Sequence, residues 1–376
     1  MTTDFHLVEL AHPARQSDGD AFRRLVGTIV ELHRATAIAR YGNDDIVSSP
    51  DTILTTLEAT AHQRAHYLLA LPGPAPAGDG AASGRPIAWQ VPAEFRSEEL
   101  WGAAFLRIPL LENTNQVHDI DIVVHPGRRR RGVGRALAWA VARLAAGLGR
   151  DTLMGWCDST ASNAPDALRS NASEVSIARD GNVQFLLAMG YRLVQTERHS
   201  VQQLASRRFT APRLAGGYRI ETWHGDPPTD FQPLCARLQT AMTTDAPNGD
   251  FEPLTEQWDA ERYLEWAQRI GRNHDMLTSL AIHDATGEPA GFSQLIRDRT
   301  RPAAVEQWNT LVARAHRGHG LGLAIKQANL VALARYWPDA ERIHTWNATE
   351  NDRMWAINKL LGYRVVSIDS GWQQRL

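Results

Sequence analysis

Hydrophobic and polar positions alternate from Tyr218 to Trp223 as in a strand, and Leu234, Leu238 and Met242 then recur at helical spacing across Phe231 to Met242. Thr243 to Asp250 is rich in turn formers. Thr255 to Ile270 reads as a second helix with Thr255 as its N-cap. Met276 to His283 and Ala290 to Arg297 read as a hairpin across the turn Asp284 to Pro289. Ala304 to Val312 is a further strand, Gly320 to Tyr336 a helix, Arg342 to Trp346 a strand, Asp352 to Leu361 a helix and Tyr363 to Ile368 a last strand. The predicted order is β-α-α-β-β-β-α-β-α-β. The first half fits the same order, with helices near Asp20 to Tyr41 and Pro50 to His62 and strands near His66 to Leu71 and Ile87 to Val91. A long hairpin loop, Pro72 to Pro86, is rich in Pro, Gly and Ala. Antiparallel strands followed by a strand-helix-strand-helix tail predict an α/β (α+β) fold, a mixed, mostly antiparallel twisted sheet with helices on both faces.

The two halves repeat one another. Val124 to Gly134 recurs as Val312 to Gly322, with Arg129 and Arg317 standing 188 residues apart, half of the 376-residue chain. Gly190-Tyr191 recurs as Gly362-Tyr363 at an offset of 172, so the first half carries extra residues, placed in the Ser/Asn/Ala/Asp-rich stretch Ser159 to Asp180. The expected domains are 1–208 and 209–376, with the boundary in Ala205 to Gly217.

Composition narrows the function classes. Forty basic residues against 42 acidic ones give a net charge of −2, which exerts no global pull on a phosphate backbone, and no nucleic-acid partner is expected. Only two cysteines occur, Cys157 and Cys235, so neither a disulfide scaffold nor a Cys-rich zinc site is expected and no metal-ligand cluster is visible. The first ten residues lack a basic start and a long apolar run, and the longest apolar stretch, Ala136 to Gly149, is shorter than the roughly 20 residues of a membrane span. The expectation is a cytoplasmic protein with no membrane partner.

The repeated motif carries the chemistry. Arg129, Arg130, Arg131, Gly132 and Gly134 in one half, and Arg317, Gly318, His319, Gly320, Leu321 and Gly322 in the other, satisfy Arg-x-x-Gly-x-Gly between a Val-rich strand and an amphipathic helix. Glycines let the backbone turn tightly, and the N–H groups at a helix start point at an anion such as a pyrophosphate. The competing reading is a tight strand-helix connection. At these residues the chain resembles the GNAT superfamily of acyl-CoA-dependent N-acyltransferases, and it does so twice, as a tandem GNAT protein. The resemblance implies acetyl-CoA as acyl donor, with Val124 and Val312 at the ends of the strands before each loop. Asn351 to Tyr363 resembles the family's later motif, an Asn followed by a helix ending in Gly-Tyr; the first half keeps Gly190 and Tyr191 but has Arg179 where that Asn stands. The resemblance adds Asn347 and Asn351 to the expected CoA contacts, and implies a catalytic C-terminal half beside a degenerate N-terminal one.

Acyl transfer makes further demands. An alkyl ammonium with a pKa near ~10 must lose a proton before it attacks a thioester, so a base is needed. Glu306 is the first candidate, at the strand position where several members of the family place theirs, and alternation puts it on the face of Trp308 and Thr310. An ordinary solvated strand carboxylate is the alternative. Asp245 and Asp250 occupy the region that resembles the acceptor-binding lip, where they bind a cationic amine or simply form the turn; Trp308 joins them as a candidate acceptor contact. The resemblance implies an oxyanion donor in the backbone N–H near Val312. It places the thiolate's acid at a Tyr four residues before the Gly of Gly-Tyr, but Asn358 stands there and Leu186 in the first half, so the general acid is unassigned and Asn358 is left to hydrogen-bond the sulfur. His316 and His319 flank the second loop, and Cys157, which aligns with Asn347, has no base partner in sequence. The leading expectation is acetyl transfer to a primary amine of a small molecule; a non-catalytic acyl-CoA sensor is the rival. Two fused copies supply what separate subunits otherwise would, compatible with a monomer of unread oligomeric state.

Overall fold

The computed structural model describes residues 4–11, 16–74, 87–173, 175–205 and 209–376. Most of the Pro72 to Pro86 loop and part of the Ala205 to Gly217 boundary therefore lie outside the described residues.

The chain forms two compact units. The first comprises Met1–Cys157, Arg179–Leu193 and Gly371–Leu376; the second comprises Asp158–Ala178 and Val194–Ser370. The first unit thus takes in Arg179–Leu193 and the end of the last strand, Gly371–Leu376, and the second takes in Asp158–Ala178.

In the first unit, β1 (Phe5–Leu10) is followed by α1 (Gly19–Tyr41), α2 (Pro50–Leu57), β2 (Gln63–Pro72), β3 (Ile87–Trp89), β4 (Gly102–Pro109), β5 (Gln116–Val124), α3 (Val133–Gly147), β6 (Thr152–Ser159) and α4 (Gly181–Ala188). Its strand order is β3-β1-β2-β4-β5-β6, completed by the end of β13 (Arg364–Arg375). β1 with β2, β2 with β4 and β4 with β5 are antiparallel, while β1 with β3 and β5 with β6 are parallel. α1 is 23 residues long, capped by the Asp18 carboxylate on the Asp20 and Ala21 N–H groups, and it buries Phe22, Leu25, Val26 and Ile29. α2 stops at Leu57, short of the predicted His62.

The second unit contains β7 (Arg192–Gln203) from Val194 onward, then β8 (Tyr218–His224), α5 (Gln232–Asp245), α6 (Ala260–Gly271), β9 (His274–His283), β10 (Pro289–Asp298), β11 (Ala304–Val312), α7 (Leu321–Tyr336), β12 (Arg342–Ala348) and α8 (Asp352–Leu361). Its order is β13-β7-β12-β11-β10-β9-β8, with β11 and β12 the parallel pair. The predicted element order holds in this unit, giving the expected mixed, mostly antiparallel sheet; in the first unit Ile87–Trp89 is an additional edge strand parallel to β1, and the antiparallel partner of β2 is β4 and not the strand expected at Ile87 to Val91. α6 starts later than Thr255 because Asp259 caps it, accepting from the Arg262 N–H at 2.8 Å, while Thr255 lies in irregular chain. β13 runs to Arg375, well past the predicted Ile368. Leu277, Leu295, Val305, Leu330, Leu333, Trp337 and Ile343 pack one apolar cluster of this unit, and Tyr263, Leu280, Phe292 and Leu311 another.

Candidate functional site

β11 and β12 pair from Ala304 with Arg342 to Gln307 with Thr345, and there the pairing ends. The cause lies on the other side of β11. Gln307 pairs with Leu295 of β10 and Thr310 with Ser293, three steps on β11 against two on β10. Such a bulge bends its strand, here parting the last residues of β11 from β12. The extra residue also breaks the alternation expected from sequence. Gln307 and Thr310 both reach the Ser293 hydroxyl, at 3.1 and 3.0 Å, so Thr310 shares a face with Gln307 and not with Glu306. The first unit repeats the device: His118 pairs with Arg107 and Asp121 with Phe105, and Asp119 inside the bulge has φ 52°. Ile296 pairs with Glu306 as Arg107 pairs with His118, so His118 stands at the position equivalent to Glu306.

Each repeated loop follows its bulged strand. Gly320 is the left-handed N-cap of α7 (φ 73°), with Gly318 also left-handed (φ 87°); Gly132 caps α3 with φ 85°. A β-carbon on any of the three would meet nothing within 4 Å, so these glycines are required by backbone conformation and leave the helix starts open. The first amides of α7 have no intrahelical acceptor and face that opening. In the first unit Arg130 adopts φ 63° where the second has Gly318. Arg129 and Arg131 are exposed. Gly322 acts differently: a β-carbon there would lie 3.1 Å from Ile357, so this glycine lets the start of α7 sit close to α8, whereas at Gly134 it would make ordinary contact with Phe185 and Val124. Leu321 is buried. Arg129 and Arg317 donate from Nε to the carbonyls of Val124 and Val312, at 3.4 and 3.1 Å, bracing strand end to loop. His319 contacts the His316 carbonyl at 3.3 Å, and His316 sits against the Tyr218 hydroxyl at 3.1 Å.

Asp245 has a different place from the one expected. It is one-tenth exposed and accepts from Arg314 at 2.8 Å and Arg317 at 3.1 Å, so it anchors the loop. Asp250 is half-buried, its N–H donating to the Val194 carbonyl at 2.9 Å.

Glu306 is partly buried on the face that carries α6. The Trp308 indole N–H donates to its carboxylate at 3.1 Å, and Trp308 leans on Trp266 of α6. Burial lifts the Glu306 carboxyl above its ordinary value, against the opposing pull of that N–H and of His274, His344 and Arg301. His344, paired with Glu306 across the strands, is hydrogen-bonded to His199 of β7 at 3.0 Å, and His199 stacks on Trp346 with centroids 4.4 Å apart. Further along lie carboxylates that sequence reasoning missed. Burial, reinforced by Glu350, raises Glu197 to about 7, and burial with Asp158 and Glu197 raises Asp369. They were illegible because β7, β6 and β13 meet only through long-range pairing.

On the opposite face, Asn358 of α8 is fully buried, accepts from the Lys326 ammonium at 2.7 Å and donates to the Asn347 side-chain oxygen. Asn351, expected to touch CoA, caps α8 by accepting from the Met354 N–H at 3.2 Å. Lys326 was missed because a single lysine in a helical pattern reads as solvent-facing.

Comparison with known proteins agrees with this geometry. The acetyltransferase (GNAT) family model matches residues 82–167. No curated protein matches the chain in sequence. Among solved structures, a tandem GNAT protein from the clavulanic acid biosynthesis pathway, determined without acetyl-CoA, is similar over 99% of this chain and 98% of its own at 24% identity and a TM-score of 0.69. A GCN5-related N-acetyltransferase from Sphaerobacter thermophilus is similar over 100% and 96% at 15% identity and a TM-score of 0.61. The matched segment lies in the half whose later motif is degenerate, while both halves have the bulge and the loop. A GNAT acetyltransferase family model thus matches a segment of the first half, and the chain along its whole length has the fold of tandem GNAT proteins.

Proposed function

We infer that the protein is an N-acetyltransferase that moves an acetyl group from acetyl-CoA to a primary amine of a small molecule by direct attack, with the chemistry in the C-terminal unit. One observation carries this reading: two parallel strands parted by a bulge, with open helix-start amides at residues 317–322 on one side and the Glu306 carboxylate at the parting point. The loop amides would hold the diphosphate and the gap the pantetheine arm. Glu306, its carboxyl raised by burial, would take the proton from the ammonium of the acceptor. The free amine then attacks the thioester carbon, the C–N bond forms, and a backbone N–H near Val312 receives the oxyanion. Collapse breaks the C–S bond, CoA departs with the electron pair, and the second proton of the attacking nitrogen passes to water, leaving a neutral amide.

A second reading has its own support. The family match at 82–167 and His118 at the position of Glu306 favour acyl-CoA binding in the first unit as well. Release of free thiol from acetyl-CoA across a panel of aminoglycosides, polyamines, amino sugars and peptide N-termini tests the proposal. Turnover with one class supports it; CoA bound but discharged to none supports a sensor instead.

A further inference from the structure

Lys326 is one of two lysines among 40 basic residues and is only 2% exposed, on the buried side of α7 six residues after the Gly320 cap. A buried ammonium normally has a carboxylate partner, because removal of one charge from water costs several kcal/mol. Lys326 has none. It contacts the Asn358 side-chain oxygen at 2.7 Å and the face of the Tyr363 ring at 5.3 Å. Burial alone lowers it to about 7. No carboxylate or other charged group facing it from α8, β12 or its own helix contributes to that displacement.

The chemistry of the contacts fixes how the amides point. An ammonium only donates, so Asn358 must present its oxygen to Lys326 and its NH2 group the other way. One N–H of that group goes to the Asn347 oxygen, which turns the Asn347 NH2 group outward in turn. Asn347 is half-buried and lies two residues beyond Thr345, where β12 parts from β11. The cluster is therefore rich in donors and has spent its acceptors: the ammonium has three N–H bonds and each amide two. Such a surplus beside a gap suits a group that becomes negative there. The fold does not require the trio, since the equivalent positions of the first unit are Ala138 and Leu186, by the offsets of the two repeats, and Cys157, because Thr152 pairs with Gln116 as Arg342 pairs with Ala304.

We propose that Lys326 is a positioning residue that locks the Asn358 and Asn347 amides with their N–H groups toward the parted strands, where they stabilise the thiolate of CoA as it leaves. The inference rests on the acyl-CoA reading of the second unit. When the C–S bond breaks, sulfur keeps the electron pair; the proton lost by the amine goes to the base and none is passed from Lys326. The charge that holds the amides and adds its field is favoured by the thiolate itself, because a negative sulfur forming beside Lys326 draws the lowered pKa of the ammonium back up.

The test is the acidity of CoA bound to the full chain, followed by the ultraviolet absorbance of its thiolate, with binding measured separately by calorimetry. Free thiols titrate near ~8.5. The proposal predicts that bound CoA titrates at least one pH unit lower, a tenfold gain in acidity, and that Lys326→Met returns it to the free value while CoA still binds. The double variant Lys326→Ala/Asn358→Leu, copying the first unit, must do the same and guards against a single variant that fails to fold. Activity gives a second readout. Both variants should lose at least tenfold in kcat with acetyl-CoA and much less with an acetyl thioester of a strongly acidic aromatic thiol, whose departure needs no help. A bound thiol as weakly acidic as free CoA, or equal acidity in wild type and variants, overturns the proposal while leaving acyl transfer intact. Failure of CoA to bind at all overturns both.

Discussion

Gly320→Glu separates the fold of the second loop from its ligand. The residue has φ 73°, and a β-carbon there meets nothing within 4 Å. A side chain in the left-handed region costs roughly 1 kcal/mol. A carboxylate at the start of α7 recovers about 0.3–1 kcal/mol from the helix dipole. The variant should therefore unfold in urea within about 1 kcal/mol of wild type. A diphosphate seated on the same amides would lie about 5 Å from the new charge, and at an effective dielectric of 20 each pair of unit charges repels by about 3 kcal/mol. That is on the order of a hundredfold in Kd. Calorimetric titration with CoA should show one site weakened at least that far and acetyl transfer abolished. Gly132→Glu, also left-handed with open space around it, should leave turnover in place. If Gly320→Glu keeps CoA stoichiometry and turnover while Gly132→Glu abolishes turnover, the chemistry belongs to the first unit. If neither change alters binding, the loops do not hold a diphosphate.

Glu306→Gln should lower kcat by roughly 10²-fold. The wild-type rate should rise with pH through a value above the ordinary carboxylate range, because burial raises Glu306 and only its ionised form accepts a proton; an unchanged pH profile in the variant excludes it as base. A β-carbon at Gly291 would lie 2.6 Å from the Leu311 carbonyl oxygen and 3.2 Å from Val312 Cα, so Gly291→Ala should destabilise by about 2 kcal/mol in urea unfolding, where Gly318→Ala costs about 1. Glu197 is raised to about 7, so between its unfolded value and pH 7 the native state binds more protons than the unfolded one. Stability should therefore fall as pH rises from 5 to 7.5, and Glu197→Gln should flatten that slope.

The element order was legible because turn formers at 243–250 and 284–289 and the Gly-rich loop at 317–322 separate the elements, and α6 carries a clear apolar face. The two Gly-rich loops were legible because they recur at matching places. What escaped depends on pairing between distant segments. Thr310 was put on the wrong face because a bulge inserts one residue that no local pattern announces. Asp245 reads equally well as a turn former, an amine ligand or the anchor of Arg314 and Arg317 until the chain is folded. Asn351 resembles a cofactor contact and serves as a cap. The assignment of Gly371–Leu376 to the first unit and of Val194–Gln203 to the second has no compositional mark at all, and it brings His199 and Glu197 beside β12.

The most direct test of the central claim is the electron density of acetyl-CoA bound to the crystalline protein. The account predicts a diphosphate on the amides of residues 317–322, the pantetheine arm between β11 and β12 beyond Gln307 and Thr345, and the thioester within reach of Asn358. A diphosphate bound away from that loop, or a pantetheine arm that does not pass between those two strands, would contradict it.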